Sequence, residues 1–257
     1  MNTDKEWEKW GQRDPYFGVL TDPKFRSGNL DSGTKAEFFA TGGQHVARVM
    51  GKIHKFIDSD FKPELALDFG CGTGRVTVAM AEIARKVVGI DISDSMLKEA
   101  EANCRALNVE NTEFYKSDDR LSAIQKFKFD FIHTFIVLQH IPVDRVRVIF
   151  SQLLHLMKDG AVGAIHLTYA DRVFSANQGL KPDNLSTRAN GIYRSLRGIA
   201  RNIVYPGKDP RMQMNTHGLN QLYFMLQSGG VEEMFTEFTD HGGVLGVFLY
   251  FRKGPKN

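Results

Sequence analysis

The stretch Asp68-Phe69-Gly70-Cys71-Gly72-Thr73-Gly74 decides the fold of this chain. It overlaps the short apolar run Leu65–Phe69, which predicts a buried strand, and a helix is expected to follow as far as about Arg85. Glycine lacks the Cβ that would block a ligand and tolerates positive φ, and the first N–H groups of a helix are unpaired. The stretch therefore predicts a ligand-binding loop between a strand and a helix, although a glycine loop alone also fits a tight turn that binds nothing.

Strands alternate with helices along most of the chain. Strands are predicted at Leu65–Phe69, Lys86–Ile90, Thr112–Tyr115, Phe129–Phe135, Ala161–Leu167, Val231–Thr239 and Val244–Phe251. Helices are predicted from Ser93 or Asp94 to Leu107, at Val143–Met157 and at Thr216–Gln227. The last two strands are joined by a short turn and should be antiparallel, because a parallel pair needs a long crossover. The pattern predicts an α/β fold with a mostly parallel sheet covered on both faces.

Residues 1–60 precede this regular pattern. The first 35 residues show poor periodicity but many aromatic side chains, so we interpret them as a packed arm. A helix is expected at Lys35–Ser59, and Gly42-Gly43 could divide it into two. We expect residues 1–60 to form a lid over a second domain at 61–257.

A basic insertion interrupts the second domain at residues 171–215. It contains eight Lys and Arg residues against three Asp, and a helix is expected near Gly191–Val204. Its arginines fit a solvated face, or they could bind an anionic group of a substrate, since Arg offers bidentate donors. They could also contact RNA or a membrane surface.

Composition restricts the class of protein. Of the 257 residues 42% are hydrophobic, and no apolar run reaches the roughly 18–20 residues that span a bilayer. The N-terminal residues lack the apolar core of a secretory signal, and two cysteines, Cys71 and Cys104, make a disulfide framework improbable. We therefore expect a cytoplasmic protein without a membrane span. The net charge of +3 neither requires nor excludes an anionic partner.

Acidic residues follow the next two strands. Asp91 ends the second strand about 20 residues after the loop, where a carboxylate can accept two hydrogen bonds from a ribose diol. Asp118-Asp119 follows the third strand and could accept a hydrogen bond from an adenine amino group, or act as an ordinary turn or cap. The dinucleotide spacing Gly-x-Gly-x-x-Gly is absent because residue 75 is Arg. Asp68 suits an ammonium group better than a pyrophosphate, which favours S-adenosylmethionine over a nicotinamide cofactor.

The same residues resemble a known family. Residues 66–75, Val88-Gly89-Ile90-Asp91-Ile92-Ser93 and residues 129–141 resemble motifs of the class I S-adenosylmethionine-dependent methyltransferases, in their small-molecule branch. Leu156-Met157-Lys158-Asp159-Gly160-Ala161 resembles the turn before their fifth strand. The resemblance implies a Rossmann-like doubly wound sheet of seven strands with an antiparallel last strand. It is specific for fold and cofactor, and much less so for substrate.

The resemblance also implies a set of cofactor-binding residues. The methionine part would lie against Asp68, Gly70 and Gly72, the ribose against Asp91, the adenine against Ile92 and Asp118, and the sulfonium near Phe135 and Ile136. Cys71, Gly74 and Asp119 lie in the same turns and are also expected to contact the cofactor. Gly42, in Thr41-Gly42-Gly43, is the candidate contact for the methionine carboxylate.

Methyl transfer needs alignment of the acceptor, and a hydroxyl acceptor benefits from a base. His140 is the candidate base because it lies at the exit of the fourth strand, although it could instead have a structural role. His45, His166, His217 and His241 are further candidate bases, but each fits a structural or solvent-facing role better. Residues 134–141 contain no Asp or Glu, which predicts a metal-independent reaction.

The sequence says least about the molecule that accepts the methyl group. Candidate substrate contacts are Tyr16, Phe17, Gln139, Tyr169 and Arg194. We expect O-methylation of a small molecule or glycan end, possibly anionic, with S-adenosylhomocysteine as product. Methylation of nitrogen, protein or RNA, and a non-catalytic scaffold, are the alternatives. DNA and RNA are disfavoured because a base-methylating signature and interleaved aromatic residues are missing, and the oligomeric state is open.

Overall fold

The computed structural model describes residues 2–171 and 209–255. Arg194 and the helix expected near Gly191–Val204 therefore lie outside the described residues. Within these ranges no helix is long and apolar enough to cross a membrane. The cytoplasmic location stays a prediction.

A seven-stranded sheet in the order β3-β2-β1-β4-β5-β7-β6 forms the centre of the molecule. The strands are β1 (Leu65–Phe69), β2 (Lys86–Asp91), β3 (Thr112–Lys116), β4 (Phe129–Thr134), β5 (Met157–Asp171), β6 (Val231–His241) and β7 (Val244–Lys253). Strands β1 to β5 pair in parallel, whereas β7 is antiparallel to both β5 and β6. The predicted doubly wound, mostly parallel sheet with an antiparallel last strand is confirmed.

Seven helices accompany the sheet in the described ranges. They are α1 (Thr3–Arg13), α2 (Pro15–Val19), α3 (Ser32–Phe56), α4 (Arg75–Ala81), α5 (Asp94–Ala106), α6 (Val143–Leu156) and α7 (Leu219–Ser228). The first 35 residues thus contain two helices that their poor periodicity did not predict. One apolar core lies on each face of the sheet, around Phe150 and Phe251 on one face and around Met50 and Phe131 on the other.

Helix α3 runs unbroken for 25 residues, so the predicted break at Gly42-Gly43 is wrong. Gly42 is buried against α4, and a Cβ there would lie 2.1 Å from the carbonyl oxygen of Arg75. Glycine costs a helix about 1 kcal/mol, but packing of an apolar face outweighs this propensity. Gly42 therefore allows two helices to approach closely, and it does not end one.

Candidate active site

A cavity of about 840 Å³ lies at the carboxyl ends of β1, β2 and β4. Ligands of open α/β sheets bind at this edge. The arm covers the cavity, with Trp7 of α1 and Val19 of α2 in its lining. Segments distant in sequence, including Met212 and His241, complete the wall. The volume lies within the ~300–1,000 Å³ typical of small-molecule sites.

The glycine loop forms one wall of this cavity. Gly70 and Gly72 line it with φ angles of +77° and +53°, a region that glycine adopts without strain. Cys71 lines it too, and burial raises the pKa of its thiol well above the ordinary value. Gly74 does not line the cavity, which corrects its predicted contact. Its φ is +85°, and a Cβ there would face Ala100 of α5 at 3.3 Å.

Asp91 lies at the end of β2 and faces the glycine loop. One carboxylate oxygen accepts the N–H of Gly72 at 3.0 Å, and the other accepts the N–H of Ser93 at 2.9 Å. Burial raises the pKa of Asp91 to about 6, although these N–H groups act in the opposite direction. Asp91 is therefore a partly buried hydrogen-bond acceptor in the cavity wall, next to Ile92.

Asp68, at the end of β1, is almost completely buried in the cavity wall. It accepts a hydrogen bond of 2.6 Å from the hydroxyl of Thr77. Its other oxygen lies 3.3 Å from Nδ1 of His133 on β4. His133 in turn lies 2.9 Å from His45 of α3, between the two Nε2 atoms. A polar chain therefore connects the glycine loop with α3.

Asp118 and Asp119, after β3, have different roles. Burial opposes ionisation of Asp118, but the N–H groups of Ser122 and Arg120 donate to it and lower its pKa. Asp119 is held by the guanidinium of Arg145 at 2.8–2.9 Å, and the same guanidinium binds Asp4 of α1 at 2.8 Å. Both carboxylates line the cavity, but Asp119 is engaged in attaching the arm.

The segment after β4 forms the floor of the cavity, where Phe135, Ile136 and Gln139 line it. Ile136 has a φ of +57°, which is rare for a β-branched residue and costs about 1–2 kcal/mol. Such strain is often found at functional sites. The side-chain oxygen of Gln139 is buried without a hydrogen-bond partner among the described residues.

His140 is also in the cavity wall, beneath Trp7 of the arm, with the two ring centroids 5.1 Å apart. Its Nδ1 lies 2.7 Å from the carbonyl oxygen of Gln213. A carbonyl only accepts, so Nδ1 carries the proton and Nε2 of the neutral ring keeps a lone pair. Burial lowers the pKa of His140, which favours this neutral form.

Two predicted substrate contacts, Tyr16 and Phe17, lie outside the cavity lining. Tyr16 is buried, donates to Glu99 and lies 2.8 Å from the side-chain oxygen of Asn103. Phe17 is buried beneath the guanidinium of Arg26. Neither lines the cavity, because Tyr16 packs in a cluster with Phe25 and Phe38, and Phe17 packs in another with Trp10 and Met96.

Gly42 and Tyr169 are the other corrections. Gly42 faces the backbone of α4, and its neighbour Thr41 lines the cavity in its place. Tyr169 is near the carboxyl end of β5 but outside the cavity lining. It packs near Phe238, with ring centroids 6.3 Å apart.

Sequence reasoning missed the cavity face of α3. This face carries Thr41, Gln44, His45 and Arg48. Their spacing of three and four residues marks one face of a helix, and polar residues there interrupt the apolar pattern. That interruption was the signal available in the sequence. Trp7 and Arg145 gave no such signal, because only folding brings them to the cavity.

Two features are typical of the class I S-adenosylmethionine-dependent methyltransferases. One is the doubly wound sheet, and the other is the glycine loop with Asp68 and Asp91 beside it. Residues 66–160 match the family model described as Methyltransferase domain. This match confirms, over residues 66–160, the resemblance to the class I methyltransferases seen in the sequence motifs.

Curated relatives are similar to only part of this chain. A ubiquinone biosynthesis O-methyltransferase of Methylococcus capsulatus is 34% identical over 77 residues, which cover 30% of this chain and 32% of that protein. An uncharacterized RNA methyltransferase of Caldanaerobacter subterraneus is 31% identical over 81 residues, 32% of this chain and 18% of that protein. The chain thus spans about a fifth to a third of the length of these two relatives.

Solved structures resemble the whole fold. Magnesium protoporphyrin IX methyltransferase from Synechocystis has a TM-score of 0.63 at 18% identity, covering 98% of this chain and 100% of that one. The N-methyltransferase NodS from Bradyrhizobium japonicum has a TM-score of 0.58 at 13% identity, covering 98% and 99%. At these identities the likeness establishes the fold alone.

Proposed function

We propose that the chain is an enzyme that binds S-adenosylmethionine and transfers its methyl group to a hydroxyl group of a small molecule or glycan end. The observation that carries this proposal is a pair of carboxylates, the buried Asp68 and the partly buried Asp91, on either side of a bare glycine backbone in one cavity. The matched methyltransferase domain spans the same residues.

The residues present fit the cofactor. Asp68 would receive the ammonium group of the methionine part, and Asp91 the ribose diol, whose hydroxyl groups would supply donors to a carboxylate that burial has desolvated. Ile92 and Asp118 would hold the adenine. The backbone of Gly70 and Gly72 would allow close approach.

When bound, the cofactor supplies an activated methyl group for in-line displacement. The chain then has to orient the acceptor and exclude water, which the arm does by covering the cavity with Trp7. His140 would accept the hydroxyl proton at Nε2 as the oxygen–carbon bond forms, because Nδ1 is committed to Gln213. Gln139 would use its unpaired oxygen to hold the acceptor.

We further propose that no metal takes part, since residues 134–141 supply no carboxylate. Turnover should then be insensitive to a chelator. Residues 1–60 are proposed as the lid and residues 61–257 as the methyltransferase domain. We favour a small acceptor over RNA because the cavity volume of about 840 Å³ suits a small molecule.

Calorimetry with S-adenosylmethionine, S-adenosylhomocysteine and NAD tests the cofactor. We expect the first two to bind and NAD not to bind; binding of NAD alone would overturn the proposal. Release of S-adenosylhomocysteine in the presence of a panel of hydroxylated, amino and RNA acceptors then tests the acceptor class. Turnover with an amine or RNA but with no hydroxyl compound would contradict O-methylation.

A further inference from the structure

Three arginines of the described chain line the cavity, and two of them are already neutralised by carboxylates. Arg48 is paired with Glu237 of β6 at 3.1 Å. Arg145 is paired with two carboxylates, each at 2.8 Å. The third is Arg75, the first residue of α4, which directly follows the glycine loop. It forms no ion pair within residues 2–171 and 209–255, so its charge has no counter-ion there.

The guanidinium of Arg75 is also incompletely hydrogen-bonded, although only 7% of the residue is exposed. Nη1 donates to the hydroxyl of Thr41 at 3.2 Å, and Nε is buried without a partner. Nη2 has no partner in the described ranges either but, unlike Nε, it is not completely buried. Because Arg75 lines the cavity, a ligand can reach this donor. A buried cation without a counter-ion is costly, which favours an anionic ligand group at this place.

The surroundings of Arg75 indicate the kind of anion. Burial lowers the pKa of Arg75, and the field of Asp68 acts in the opposite direction. Asp68 does not pair with the guanidinium, because its two oxygens contact Thr77 and His133. A carboxylate carries a single charge and two oxygens that match the planar donors of a guanidinium. A phosphate dianion would place more negative charge near Asp68 and fits less well.

We propose that Arg75, held at Nη1 by Thr41, binds a carboxylate group of a ligand in the cavity. The inference rests on the proposed function and names a chemical group of its ligands. Two ligands of that function can supply the carboxylate. One is the methionine part of the cofactor, whose carboxylate and ammonium groups share one carbon atom, so that the ammonium would lie at Asp68. The other is the methyl acceptor.

The first arm of the test concerns the cofactor. Calorimetry compares S-adenosylhomocysteine with its decarboxylated analogue, which keeps the ammonium group. If the cofactor supplies the carboxylate, the wild-type protein should prefer S-adenosylhomocysteine by roughly tenfold or more. Arg75→Met should abolish this preference, and Arg75→Lys, which keeps the charge, should retain part of it. Arg85→Met alters an exposed arginine beyond the end of α4 and should leave the preference intact.

The second arm concerns the acceptor. Benzoate and benzamide have nearly the same shape and differ in charge, and each is titrated into protein saturated with S-adenosylhomocysteine. If the acceptor supplies the carboxylate, the wild-type protein should prefer benzoate, and Arg75→Met should lose that preference. The affinity of this variant for S-adenosylhomocysteine should then stay within twofold of the wild-type value.

A preference that depends on Arg75 in either arm supports the site and identifies the source of the carboxylate. Absence of both preferences in the wild-type protein, or their persistence in Arg75→Met, would overturn the proposal. Urea denaturation of the ligand-free protein tests for a merely structural role, because removal of a buried cation without a counter-ion should not lower the midpoint. A lowered midpoint with both preferences intact would make Arg75 structural. Failure of the wild-type protein to bind either S-adenosyl compound would instead contradict the proposed function itself.

Discussion

Single residues at the edge of the sheet obtain their chemistry from their immediate neighbours. Asp68 and Asp91 are both aspartates at strand ends, yet one is connected to a histidine chain and the other to backbone N–H groups. Burial lowers the pKa of both His140 and His45, and the contact of Nδ1 with the carbonyl of Gln213 leaves Nε2 of His140 as an acceptor. The contacts, more than the residue types, define the candidate roles.

Asp91 predicts a pH dependence of cofactor affinity. Its pKa is raised to about 6 in the ligand-free protein, and only the carboxylate can accept both ribose hydroxyl groups. Affinity for S-adenosylhomocysteine should be constant above pH 7 and fall by up to about tenfold per pH unit below 6. Calorimetry across pH 5 to 8, a range chosen around the pKa of about 6, measures this.

Asp91→Ala provides the control for this prediction. It should weaken binding at pH 7 by roughly 1–3 kcal/mol, the usual cost of losing hydrogen bonds to a charged group. It should also flatten the pH profile. An equally steep profile in the variant would assign the titration to another group.

His140→Gln should lower methyl-transfer turnover by roughly 10²–10⁴-fold, the usual contribution of a general base. Binding of S-adenosylhomocysteine should change by less than twofold, because the ring contacts Trp7 and Gln213 at the acceptor side. Turnover of an acceptor found in the panel is the measurement. Full activity in the variant would leave alignment alone to account for catalysis.

At the scale of elements, close approach between helices decides what a glycine does. Gly42 and Gly43 are adjacent in α3 and look equivalent in the sequence. A Cβ at Gly42 would collide with the backbone of Arg75, whereas a Cβ at Gly43 would meet nothing within 4 Å. Only the packing of α3 on α4 distinguishes them.

The two glycines therefore make a matched pair of variants. Gly43→Ala should raise the free energy of unfolding by roughly 0.5–1 kcal/mol, through helix propensity. Gly42→Ala should lower it by roughly 1–3 kcal/mol, since α3 and α4 must separate. Urea denaturation measures both. Equal effects of the two substitutions would mean that α3 does not pack as described.

Arg145 connects α1 to the loop after β3, through Asp4 and Asp119. Arg145→Gln should loosen the arm and raise the dissociation rate of S-adenosylhomocysteine by about fivefold or more. Stopped-flow fluorescence can follow this through Trp7. The control is Lys24→Gln, which removes an exposed pair with Glu37 and should leave the rate unchanged. If both variants release S-adenosylhomocysteine at similar rates, Arg145 does not control closure of the arm over the cavity.

At the scale of the whole molecule, the cavity is assembled from segments far apart in the chain. Thr3 of the arm lies 3.2 Å from the carbonyl of His140 and 3.1 Å from the side chain of Gln213. Glu8 accepts hydrogen bonds from Ser93 and Ser95 at the start of α5. The arm therefore bridges both halves of the sheet across the cavity.

We expect the distant segments that form the cavity wall to become protected together when the cofactor binds. Hydrogen exchange should slow together in residues 3–13, 117–121 and 212–217 when S-adenosylhomocysteine is added, because these segments share the cavity wall. Strand β7, which is buried between β5 and β6, serves as the internal control and should not change. Slowing confined to the glycine loop would contradict closure by the arm.

The sequence by itself determined the order of the strands and helices, the antiparallel end of the sheet and the place of the glycine loop with Asp68 and Asp91. These depend on local periodicity and on spacing within about 25 residues. Only the tertiary structure decided that Tyr16 and Phe17 are core, that α3 is continuous and that His45, Arg145 and Trp7 meet at one cavity. His45 is 88 residues from His133 in the chain, and Arg145 is 141 residues from Asp4. Contacts between such distant residues leave no periodic pattern in the sequence.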